Sequence, residues 1–334
     1  MNSTTHDHQA STLELRWLRR AGLLLLDNAI LVALAVAVIV FSIASPDVFF
    51  TPTNLISVLR FASLGGIVVA FYTLAMIAGQ LDLSTVQVGA LCGMVFAALY
   101  QVIGLPLLVA LPLALCVAAL FGWLNSYLIN SVGVPSLVTT LAVGTLAYGV
   151  SFLILDSFGS ANIMRLSRPP LRSLINTELL GVPVTIPLMF VIYGLVYVLL
   201  NHTRLGAHLY AVGGNSAAAR LNGIAVSRVV TFALVAVAIA SGAATIMLGA
   251  RQLAVTPAMA VLASPLVAAL FAGVSLAGGA GKIERTLIGV LFFAVLGIGL
   301  SILALPAWVR FGIEGTAFVL ALLTDSIRTH LETR

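Results

Sequence analysis

The sequence predicts an all-α protein: a polytopic transmembrane helical bundle of about ten spans with broken helices, at roughly 20 apolar residues per crossing. Three observations carry this. Hydrophobic residues make up 61% of the 334-residue chain, charged residues make up 8%, and the mean hydropathy is +1.15. Soluble domains carry about 25% charged residues, so no soluble fold of this size hides that much apolar surface. The apolar runs are long, and strict period-2 alternation is absent, which argues against a transmembrane barrel.

Taken in order, residues 1–22 are polar and hold Arg16, Arg19 and Arg20 near their end. The apolar run 30–43 leads to Pro46 and a further span, not to a cleavage site. An uncleaved first span over 23–43, behind a cytoplasmic tail over 1–22, is therefore expected. Span 2 runs 55–78, with Arg60 near its start. GQLDLS (79–84) follows, then span 3 to Tyr100. Spans 4 and 5, 107–130 and 136–155, are separated by the break Ser131–Pro135. The polar segment Asp156–Pro183, with Arg165, Arg168, Arg172 and Glu178, reads as a small ordered exterior cap. Span 6 covers 185–200, span 7 229–249, span 8 264–277 (short and glycine-flanked), span 9 286–304 and span 10 309–324. The membrane body thus covers 23–325, and 326–334 is a second cytoplasmic tail.

Ten spans place both termini on one side. With the N-terminus inside, the cytoplasm receives the arginines of the first tail, Arg204, Arg220 and Arg228, Lys282 and Arg285, and Arg328 and Arg334. Fewer basic residues fall outside: Arg165, Arg168, Arg172, Arg251 and Arg310. The positive-inside rule favours this orientation and accounts for most of the net charge of +5, so no nucleic-acid partner is implied; the lipid bilayer is. Gly65, Gly66, Gly89, Gly122, Gly144 and Gly242 lie within spans and let helices approach closely. Cys92 and Cys116 sit in apolar runs and read as small core residues.

The longest polar break in the second half is Thr203–Arg228, which contains no acid. Both ends of a short helix are written in it. Asn215 is an N-cap, residues 216–221 are helix-forming, and Gly223 supplies a left-handed stop. A helix of about two turns is not stable alone in water and needs a surface to dock on. The blander reading is a solvated loop that joins spans 6 and 7.

Two glycine-centred stretches resemble each other, 78–93 and 272–289. Each breaks an apolar helix, and such paired breaks point to a transport path. Gly79, Asp82, Ser84 and Ser275 are the path candidates. Asp82 has two readings: a polar group in a solute or ion pathway, or, more simply, a cap for the first N–H groups of span 3. The two are compatible, because helix breaks within membranes border cavities. Catalysis finds no support. The sequence has no Gly-x-Ser-x-Gly elbow, no His-Glu-x-x-His and no Walker loop. Two histidines in a polar tail, His6 and His8, do not make a metal site. No catalytic residue, metal or cofactor is expected.

Four stretches, collinear over about 50–325, carry a resemblance to the membrane permeases of ribose-type bacterial ABC importers. GQLDLS (79–84) is similar to that family's Gly-Gly-Ile-Asp-Leu-Ser, with Gln80 in place of the second glycine. Residues 125–153, 203–224 and 273–289 resemble its Asn-Gly-x-Leu-Ile…Pro-x-x-Ile-x-Thr-Leu-Gly-Thr pattern, its cytoplasmic loop and its second glycine motif. Ala218-Ala219-x-x-x-Gly223 resembles the Ala-Ala-x-x-x-Gly of importer coupling helices. The resemblance implies an inner-membrane permease that imports a monosaccharide or similar solute, without chemistry of its own. It implies a second permease subunit, cytoplasmic ABC ATPase subunits and a periplasmic sugar-binding protein. It also implies coupling to the ATPase through 203–224, with Asn215, Ala218, Ala219, Arg220 and Gly223. At 262–269 the chain has Leu-Ala-Ser-Pro-Leu-Val-Ala-Ala where the family has an acid, so the second subunit is either identical or paralogous. The alternatives are an ion-coupled secondary transporter using Asp82, a branched-chain amino acid ABC permease, and an intramembrane enzyme, for which no nucleophile–base pair is found.

Overall fold

The computed structural model describes residues 28–158, 162–261 and 265–332. The tail 1–22 and the first residues expected in span 1, 23–27, lie outside the described residues. The chain is helical almost throughout, in the order α1 (Ala29–Ala44), α2 (Pro46–Phe49), α3 (Pro52–Ile77), α4 (Thr85–Ala97), α5 (Leu107–Tyr127), α6 (Ser136–Ser157), α7 (Pro169–Ile175), α8 (Thr185–His202), α9 (Arg204–Gly214), α10 (Ser216–Leu221), α11 (Val226–Gln252), α12 (Pro265–Phe271), α13 (Ile283–Ile302) and α14 (Ala307–Glu332). Single π turns extend α4 over Ala98–Val102 and α5 over Leu128–Val132. Four two-residue strands complete the chain: β1 (Met164–Arg165), β2 (Glu178–Leu179), β3 (Val182–Pro183) and β4 (Ala254–Val255).

Seven of the described helices are long and apolar enough to cross a membrane: α3, α4 and α5 each with its π turn, α6, α8, α11 and α13. The protein is a multi-pass helical bundle. The region expected as span 8, 264–277, holds only the seven-residue α12. Pro265 opens it, and Gly273, Gly278 and Gly279 at positive φ turn the backbone away from helix after Phe271.

α11 is central. It packs on α3, α4 and α5, and 67% of its apolar window is buried, against 22% for α5. Two apolar clusters flank it. One gathers α3, α8, α11 and α13; the other gathers α4, α5, α6 and the 162–183 segment. Lipid is as apolar as a leucine side chain, so close packing has to hold these helices together. Small residues permit it. A methyl on Gly122 would lie 2.8 Å from the Leu234 carbonyl oxygen, and one on Gly242 2.6 Å from Cys92 Sγ. Cys92 is buried as expected, but Cys116 is exposed on α5 and is not a core residue.

The 162–183 segment is ordered against the ends of α4 and α11. β1 pairs antiparallel with β4, Met164 opposite Val255. Gln101 Oε1 accepts the Ser167 and Arg168 N–H groups at 3.0 and 3.1 Å, and the Arg168 guanidinium lies 4.8 Å over the Tyr100 ring. Arg60 pairs with Glu178 at 3.4 Å, which sets the start of α3 beside this cap.

Candidate functional site: a docking helix joined to two helix breaks

The polar loop after α8 folds as two helices at a sharp corner. Thr203 Oγ1 accepts the Gly206 N–H at 3.2 Å and caps α9. Leu209 and Val212, buried, with Leu205 partly buried, fix α9 to the bundle. Asn215 leaves helical geometry at φ −159°, and its Oδ1 accepts the Ala218 N–H at 2.9 Å, so it caps α10. Gly223 ends α10 at φ +80°, and the Ile224 N–H returns to the Ala219 carbonyl at 3.0 Å. A side chain at that φ would be strained.

The faces of α10 divide the residues expected to act together. Ala219 is buried in the core cluster with α11. Ala218 and Arg220 are exposed. So is Leu221, at 90%, an apolar side chain that sequence reasoning missed. Ala219 therefore anchors the helix, while Ala218, Arg220 and Leu221 present a surface.

Where α9 ends, three chain breaks meet backbone to backbone. The Gly279 N–H donates to the Ile77 carbonyl at 2.9 Å, joining the break after α3 to the turn before α13. A methyl on Gly213 would overlap that carbonyl and lie 2.6 Å from Gly279 N. A methyl on Gly278 would meet Gly79 Cα at 2.6 Å, and one on Gly279 would meet Gly214 Cα at 2.6 Å. Gly79, Gly278 and Gly279 all have φ between +70° and +84°. The two look-alike glycine stretches are thus in contact, with α9 wedged against both. Tyr210 adds a clamp, donating its hydroxyl to the Gly281 carbonyl at 2.8 Å. Burial first, then the Glu284 carboxylate, pushes the Tyr210 phenol above its ordinary range and keeps it a donor. Ser275 closes its own turn. Its Oγ accepts the Ala277 N–H at 3.2 Å, and its N–H reaches the Ala280 carbonyl at 3.0 Å.

A cavity of about 540 Å³ opens at this junction, lined by Gln80, Asn130, Gly213, Asn215, Ser216 and Arg220 among others. The break after α3 runs from here along the first two turns of α6 as non-helical chain. Ser136 Oγ accepts the Leu81 N–H at 3.4 Å. Thr140 Oγ1 accepts the Leu83 N–H at 3.1 Å and has the Leu81 carbonyl 3.2 Å away. Non-helical backbone within a membrane persists only where such partners or a cavity satisfy it.

Asp82 is 2% exposed, and its Oδ1 accepts the Ser84 N–H at 2.8 Å and the Ser84 hydroxyl at 2.5 Å. Asn125 Nδ2 donates to Ser84 Oγ at 2.8 Å, tying the break to α5. Asp82 thus holds Ser84, the residue before α4, and the first turn of α4 itself receives no side-chain cap hydrogen bond. The candidates fall into two groups. Gly79 joins Asn215 and Arg220 at the junction cavity, and Asp82 and Ser84 form a buried pair further along the break. Among the described residues no His, Cys, Asp or Glu cluster converges on a metal position.

The comparisons with known proteins agree with this geometry. A family described as branched-chain amino acid transport system / permease component matches residues 54–322. Ribose import permease protein RbsC of Haemophilus influenzae is 27% identical over 307 residues, covering 91% of this chain and 94% of its own. The RbsC protein of Escherichia coli K12 is 30% identical over 319 residues, with 90% and 94% covered. Autoinducer 2 import system permease protein LsrD of Photorhabdus temperata is 29% identical over 312 residues, with 91% and 92% covered. No solved structure matches the chain. With a membrane bundle, two broken helices in contact and a family match spanning α3 to α14, the chain belongs to the family of branched-chain amino acid transport system / permease components.

Proposed function

We propose that this chain is the membrane-spanning permease subunit of an ATP-binding-cassette importer that moves a monosaccharide or similar small polar solute across a bacterial inner membrane. It performs no chemistry, and ATP is hydrolysed on partner chains. The single observation that carries the mechanism is the attachment of α10. A capped helix of six residues presents Ala218, Arg220 and Leu221 outward and continues into α9, which is wedged against both helix breaks. Closure of an ATPase pair on α10 then moves both breaks as one body. In this reading residues 203–224 face the cytosol as the coupling loop and both termini are cytoplasmic. The path crosses ten times, with α12 counted as one broken crossing. A second permease subunit, identical or paralogous, completes the conduit, and a periplasmic sugar-binding protein delivers the solute.

The family description names branched-chain amino acids, whereas the relatives above are named for ribose and autoinducer 2. Their collinearity over nine-tenths of the chain favours the sugar-like cargo. Ion coupling through Asp82 is disfavoured, because its Oδ1 is already held by two Ser84 donors. The test is uptake of radiolabelled ribose into vesicles holding this chain, its ATPase and its binding protein. Uptake that persists without the ATPase would overturn the reading. So would labelling of a cysteine placed at Ala218 by an impermeant reagent from the outer side.

A further inference from the structure

The first turn of α4 stands between two cavities. One, of about 200 Å³, lies against Tyr72, Asp82 and the start of α12. The other, of about 340 Å³, lies against Thr145 and Tyr148 of α6 and against Pro257. That second volume falls in the range of small-molecule sites, about 300–1,000 Å³. Leu83, Val86 and Gln87 line both. Gln87, which lines both, carries an acceptor that the protein leaves unsatisfied: its Oε1 is buried without a hydrogen-bond partner. Buried polar groups are nearly always paired, so an orphan acceptor on a residue shared by the two cavities asks for a ligand.

The lining also states what kind of ligand. It includes no Lys, Arg or His, so an anion would find no counter-charge there. Asp82 has committed Oδ1 to Ser84. What remains is a carboxamide acceptor, phenol hydroxyls and the part-exposed Tyr148 ring, a set suited to hydroxyl groups and C–H faces. Gly144 keeps the space open, since a methyl there would sit 3.5 Å from Gln87 Oε1 and 3.1 Å from Ser84 Cα.

We propose that the first turn of α4 is a solute-contact site on the transport path, where Gln87 accepts a hydroxyl hydrogen of a neutral polyhydroxylated solute and Tyr148 faces its carbon side. This deepens the permease reading and rests on it. It shifts direct contact from Asp82 and Ser84, which hold the break in shape, to Gln87 and Tyr148. The experiment uses the assembled importer in vesicles with radiolabelled ribose as probe. Uptake and ATP hydrolysis stimulated by the loaded binding protein are read in the same sample. Gln87→Met, close in volume but without the acceptor, is expected to lower ribose moved per ATP at least tenfold, with stimulated hydrolysis within twofold of the parent. Gln87→Glu, which keeps an acceptor, recovers most of that ratio. Tyr148→Leu, at a part-exposed position, is expected to lower the same ratio and serves if Gln87→Met does not reach the membrane. An unchanged ratio in Gln87→Met, or in Tyr148→Leu where that variant stands in, overturns the site. Uptake and hydrolysis falling in step would assign Gln87 to coupling and overturn it equally. Parent vesicles that hydrolyse ATP without taking up ribose would instead remove the functional reading beneath it.

Discussion

Gly213→Ala and Gly214→Ala add one methyl group each to adjacent residues of α9, yet the two positions differ sharply in space. At Gly213 the methyl overlaps the Ile77 carbonyl oxygen and lies 2.6 Å from Gly279 N, so the 2.9 Å hydrogen bond between those groups has to open. Overpacking costs about 1–3 kcal/mol, and the lost hydrogen bond about 0.5–1.5 kcal/mol. Alanine returns about 1 kcal/mol of helix propensity. The net is a destabilisation of about 2 kcal/mol by these central values. At Gly214, the last residue of α9, the nearest atom to the new methyl is Gly279 Cα at 4.0 Å, so only a propensity gain of at most about 1 kcal/mol applies. The two variants should therefore differ by about 2–3 kcal/mol, although the chemical change is the same. Heating the detergent-purified chain and following its monodisperse fraction measures this. Gly213→Ala should melt well below the parent and Gly214→Ala at or above it. Equal midpoints for the two variants would refute the backbone junction as described.

Asn215→Ala removes the acceptor for the Ala218 N–H and should cost α10 about 1 kcal/mol, seen as weaker stimulation of the ATPase at unchanged membrane level. Ala218→Glu, on the exposed face of α10, and Gly223→Pro, at φ +80°, should leave the chain in the membrane but uncouple hydrolysis from uptake; normal transport by both would remove the docking role. Asp82→Asn keeps an oxygen for Ser84, so ATP-driven uptake should survive and be insensitive to a protonophore; loss of gradient-driven uptake in ATPase-free vesicles would restore the ion-coupled alternative. Thr140→Val strips the hydroxyl that serves Leu81 and Leu83 and should cost about 1–3 kcal/mol, read as a lower melting midpoint.

Much of this was legible locally. Asn215 and Gly223 mark both ends of α10 because capping is decided within four or five residues. Gly79 with Asp82-Leu-Ser84 marks the break after α3 for the same reason. The helix α9 carried its own signal, Leu205, Leu209 and Val212 at helical spacing, but the polar residues between them obscured it. What was not legible depends on distant partners. Nothing near Gly213 in sequence names Ile77 or Gly279. Ala218 and Ala219 are the same residue type, and only the position of α11 decides that one is buried and the other is not. The orphan acceptor on Gln87 likewise exists only because α6 and the chain after α11 enclose it.

The placement of α11 has one more consequence. Its 27 residues extend about 40 Å at 1.5 Å per residue. A four-residue turn fastens its start to α10 through the Ile224–Ala219 hydrogen bond. Its far end is stitched to the 162–183 segment, where the Leu166 N–H meets the Leu253 carbonyl at 3.0 Å. So long a stiff element cannot rock at one end alone. Tilting it by about 5° carries the opposite end about 3–4 Å sideways, on the scale of a side chain. A push delivered at the α10 end therefore arrives at the opposite end in the same stroke, through a single lever.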